Sequence, residues 1–157
     1  MKRFLLTVLL AISLPGWADA AEAELWIVAP APHGDLSDCP ERAPHEVMAE
    51  SPAAHRLDAA ARLRWGGGVF QLRGAADAAV GWPQLVDRCF ALLVDGRVVA
   101  AGATLLPYSA RRLRFPVLQV LPHPPDQALD LNLAPQFPAV DGGPIPQDWR
   151  DALTDLR

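Results

Sequence analysis

The sequence predicts a mainly β protein. The expected form is a single small β-sandwich or barrel-like domain with short helices and a C-terminal amphipathic helix, the alternative being an α+β sheet with helices on one face. Three observations predict it. Residues 89–105 are two nearly continuous apolar runs on either side of Asp95-Gly96, the dipeptide that supplies positive φ at both centres of a type I′ hairpin turn. Elsewhere, about six or seven short strand-like stretches are separated by Pro and Gly clusters. Finally, residues 146–156 put Trp149, Ala152, Leu153 and Leu156 on one helical face and Asp148, Asp151 and Asp155 away from it.

The first twenty residues are expected to lie outside the fold. Lys2 and Arg3 precede an apolar run over 4–14, and Ala18, Asp19 and Ala20 form a small-x-small cleavage pattern. The run is too short to span a bilayer as a helix. An export signal at 1–20 and one exported domain at 21–157 are therefore expected. The address is periplasmic or secreted, with no membrane anchor in the mature chain.

The 157-residue chain carries a net charge of −4. A mildly acidic domain has no long-range attraction to nucleic acid or an anionic membrane, which disfavours both as partners. Two cysteines, Cys39 and Cys89, in an exported chain are expected to be joined. Closing a loop of that length stabilises by about 4 kcal/mol in the chain-entropy model.

Taken in order, residues 24–28 read as a strand stopped by Pro30. Residues 33–52 read as a polar loop pinned by Cys39, with a short helix starting after Pro44. Ser51-Pro52 reads as a helix start, followed by an Ala-rich run through Leu57. The period changes to two by residues 61–65, and 69–73 read as a strand after Gly66, Gly67 and Gly68.

In the central hairpin a two-residue loop pairs Val94 with Arg97, Leu92 with Val99, Phe90 with Ala101 and Cys89 with Gly102. Gly102 would then leave room for a disulfide crossing the sheet. Continuous apolar arms predict cover on both faces. Leu113, Phe115 and Val117 alternate with Arg112, Arg114 and Pro116, which predicts a half-buried third segment. Leu129, Leu131 and Leu133 predict a last strand.

Four constellations bear on chemistry. Tyr108, the one tyrosine, precedes Arg111, Arg112 and Arg114. Guanidinium forks bind carboxylate or phosphate bidentately, so this segment is the expected site for an anionic ligand or an acidic partner loop. The bland alternative pairs these arginines with acids such as Asp130. His33, His45, Met48 and His55 are the expected ligands if the chain holds copper or zinc. In the alternative they are polar loop residues with Met48 packed inward. Ser109 lies in neither a nucleophile-elbow nor a Ser-x-x-Lys pattern and is expected to shape a turn. Gly66 to Gly68 lack the Lys-Ser/Thr of a phosphate-binding loop.

The function expected from the sequence is an exported, non-enzymatic binding protein, one form of which is an inhibitor-like module. Its partner would be an envelope or extracellular protein or a small anionic ligand, with no cofactor. The alternatives are a copper- or zinc-handling envelope protein and a small hydrolase.

Overall fold

A computed structural model describes residues 23–30, 34–49, 55–58, 64–66, 69–74, 82–122, 129–139 and 144–154. The expected export signal at 1–20, His33, Ser51 and Pro52 lie outside the described residues. The elements in chain order are β1 (Ala23–Pro30), α1 (Cys39–Met48), β2 (His55–Asp58), β3 (Arg64–Gly66), β4 (Val69–Gly74), a 3₁₀ turn (Trp82–Leu85), β5 (Arg88–Val94), β6 (Arg97–Leu105), β7 (Val117–Val120), β8 (Leu129–Ala134) and α2 (Gln147–Thr154).

The strands form one eight-stranded sheet in the order β2-β1-β5-β6-β7-β8-β4-β3. The chain is therefore sheet-rich with two short helices. The sheet is open: its order runs from β2 to β3 without closing into a barrel. Every strand pairing is antiparallel except β6 with β7.

Alternation along β5 divides the core. Phe90, Leu92 and Val94 belong to one face, with Leu25, Ile27, Leu118, Leu131 and Leu133. Helix α2 closes that face through Trp149 and Leu153, one turn apart, both nearly fully buried. An eight-residue helix is marginal alone, so this docking holds it. Ala91 and Leu93 belong to the other face, with Ala103, Leu105 and Val117. There α1 lies on the sheet through Cys39, Ala43 and Val47, spaced four apart on one side of the helix. Small residues at Ala43, Ala91 and Ala103 let helix and sheet approach. The disulfide Cys39–Cys89, whose two half-cystines are fully buried, ties the first residue of α1 to β5.

The central hairpin turns at Asp95 and Gly96, with φ of 50° and 72°, as a type I′ turn requires. Val94 pairs with Arg97 as expected, but a bulge follows between Leu92 and Leu93. Past it Phe90 faces Gly102 and Cys89 faces Ala103, one residue off the expected register. Gly102 therefore does not accommodate the disulfide. A Cβ there would lie 1.8 Å from the carbonyl oxygen of Pro116. The glycine admits the chain entering β7, and the Pro116 carbonyl accepts a hydrogen bond from Ala103 N–H at 3.2 Å.

Two local expectations are corrected. Helix α1 begins at Cys39 rather than after Pro44, because proline is tolerated in a first helical turn, where Pro40 sits. Residues 55–58, read as part of an Ala-rich helix, form the edge strand β2 paired with β1. Pairing with an existing strand overrides the weak helical preference of its neighbours.

Gly102→Ala is expected to destabilise the protein by about 1–3 kcal/mol, since the obstruction is backbone and cannot rotate away. Urea unfolding measures it, and an unchanged midpoint would show that the Pro116 approach is not a constraint.

Candidate functional site

Because β7 runs parallel to β6, the chain cannot return by a tight turn. Residues 106–116 instead cross the face that carries α1, and Leu113 and Phe115 pack against the core there. This crossover carries Tyr108, Arg111, Arg112 and Arg114.

Local chemistry shapes its start. Ser109 N–H donates to the Leu106 carbonyl at 3.1 Å, a turn with Pro107 at its second position. Tyr108 stands at the tip, 72% exposed. The Ser109 hydroxyl oxygen accepts from Arg111 N–H at 3.3 Å, so the expected turn-shaping role is filled.

Arg111 is a clasp. Its guanidinium donates to the Gly34 carbonyl at 3.1 Å and lies 3.6 Å from the Asp87 carboxylate. Three segments distant in sequence meet at this side chain. Asp87 has a φ of 54°, a conformation that Asp tolerates better than most residues. Its N–H donates to the carbonyl of Thr104, and the buried Thr104 hydroxyl accepts from Arg88 N–H and donates to the Arg88 carbonyl. Thr104 thus continues the β5–β6 pairing past its end and places Asp87. The sequence singles out neither residue, because Asp87 meets Arg111 and Thr104 meets Arg88 only through the fold.

Beside the clasp, Asp35 Oδ1 accepts Ser37 N–H at 2.9 Å. This bond, more than the nearby Arg111 charge, holds the Asp35 carboxyl below its ordinary value of 3.8.

Leu113 and Phe137 exchange both backbone hydrogen bonds, at 2.9 and 2.8 Å. Leu113 is partly buried, whereas Arg112 and Arg114 on either side are exposed. Among the described residues no acidic group lies within ion-pair distance of Arg112 or Arg114. The arginine that does pair is Arg111, and its partner is Asp87 rather than Asp130.

The expected metal ligands are less connected. His45 and Met48 are three residues apart in α1 and both exposed, Met48 by 73%, so Met48 is not packed inward. His55 lies in β2, where it pairs with Ile27. Asp38 comes close to Cys39 and Cys89, but the two sulfurs are bonded to each other and offer no thiolate. No helix among the described residues is long and apolar enough to cross a membrane.

The Asp35 carboxyl is expected to titrate below 3.8, followed by its side-chain carbon resonance. Its contribution to stability is in place above the unfolded value and is lost as pH falls through the lower folded midpoint. Ser37→Pro, which removes the donating N–H, should raise that midpoint more than Arg111→Ala does. The reverse order would make Arg111 the main cause.

No protein-family model, no curated protein and no solved structure matches this chain.

Proposed function

We propose that the chain is an exported, non-enzymatic binding module whose contact surface is the crossover at Tyr108, Arg111, Arg112 and Arg114. The observation that carries this is that Arg112 and Arg114 are exposed and, among the described residues, without an ionic partner, on a segment held at several points. Arginines that merely solvate a surface gain little from being so held. Arginines that receive a carboxylate gain from it, because less side-chain and loop entropy is lost on binding.

The partner class is an acidic segment of an envelope or extracellular protein. Export is supported by the pattern at 1–20, and the closed Cys39–Cys89 disulfide is compatible with it. Tyr108 adds an exposed aromatic body with a polar tip, a side chain suited to the centre of an interface. Arg111 supports the surface through Gly34 and Asp87 rather than meeting the partner with all its donors free.

The test is capture by the tagged, disulfide-closed protein from an envelope extract, compared with Arg112→Glu plus Arg114→Glu. The double variant should lose the captured protein and keep the wild-type melting temperature, since neither side chain has an ionic partner among the described residues. Wild-type capture should also weaken as salt rises from low to physiological strength. Equal capture by both proteins would move the site elsewhere. A copurifying small anion lost in the variant would make the ligand a small molecule.

A further inference from the structure

In antiparallel pairing, successive residues direct their peptide groups to opposite edges of a strand. Leu113 directs both of its groups to Phe137. The Arg112 carbonyl and the Arg114 N–H, in the two peptide groups flanking Leu113, therefore face the other way, and among the described residues neither is in a backbone hydrogen bond. The chain bends at Arg114 and Phe115 on its way into β7, which limits this open edge to residues 112–114. Both flanking side chains are exposed cations without an ionic partner among the described residues, on a chain of net charge −4.

We propose that residues 112–114 are a docking edge that takes an extended acidic segment of a partner protein by strand addition. The proposal rests on the arginine contact surface described above and adds to it a backbone component and a pattern. An added strand would complete the peptide groups of Arg112 and Arg114, as in other edge-addition complexes. Alternate residues of that strand lie about 6.5–7 Å apart on one face, and Arg112 and Arg114 are likewise alternate residues, on either side of the Leu113 bridge. Carboxylates at alternate positions would thus stand opposite both guanidinium groups. Carboxylates at adjacent positions point to opposite faces, and only one of them would be met. A free phosphate or a single carboxylate would use the guanidinium groups without the backbone.

Calorimetric titration of the disulfide-closed protein with three capped peptides tests this. One alternates Glu with Thr, one has the same composition with its Glu residues adjacent, and one is the alternating peptide with N-methylated amides. The alternating peptide is expected to bind, and the adjacent peptide to bind roughly tenfold more weakly. N-methylation should cost roughly tenfold through lost backbone hydrogen bonds. Equal affinity for all three, abolished by Arg112→Glu plus Arg114→Glu, would overturn the docking edge and leave the arginine surface standing. Binding of the alternating peptide undiminished in that double variant would overturn both. Absence of binding by any peptide would overturn the edge, while loss of capture in the same variant would still support the arginine surface.

Discussion

The parallel pairing of β7 with β6 is the constraint on which the rest of the structure depends. It allows no tight return, so residues 106–116 must leave the sheet, cross the face bearing α1 and re-enter beside the strand they left. Re-entry is close enough that only glycine fits at position 102, against the Pro116 carbonyl. A mainly antiparallel sheet thus acquires one long, exposed connection, and the candidate contact residues are on it.

That connection is held from several sides. The disulfide fixes the start of α1 on β5 and with it the segment at Gly34 that receives Arg111. In the chain-entropy model this cross-link contributes about 4 kcal/mol to the whole fold. The Arg111–Asp87 pair, largely exposed, contributes at most about 1 kcal/mol. The local hold on the loop comes more from the double hydrogen bond between Leu113 and Phe137 and from burial of Leu113 and Phe115. Positioning and global stability therefore come from different interactions. The clasp shapes the site, and the core and the disulfide keep the protein folded.

Features with a local cause were legible in the sequence. The Asp95-Gly96 turn, the strands at β1, β4 and β8, the apolar face of α2 and the pairing of the two cysteines each follow from residues close in the chain or from simple arithmetic. So did the exposed arginines, since alternation with Leu113 and Phe115 already turned Arg112 and Arg114 outward. What was not legible depended on partners far away. The bulge in the hairpin shifts the register beyond Leu92, and no residue type announces it. Pro40 and Pro44 made α1 resemble a loop, although its Cys39, Ala43 and Val47 spacing was present and found a sheet to pack on. For Arg111 the sequence offers an anionic ligand or an acid such as Asp130, whereas the fold brings Gly34 and Asp87 to it.

Native-state amide hydrogen exchange along residues 106–116 tests most directly whether this crossover is a held surface with an open edge. The predicted result is alternation: Leu113 and Phe137 amides protected together, with Arg112 and Arg114 amides exchanging near the rate of an unstructured chain. Fast exchange at Leu113 and Phe137 as well would contradict the account, because it would show a loose loop. Protection of Arg112 and Arg114 in the isolated protein would contradict it from the other side, because the edge would already be filled.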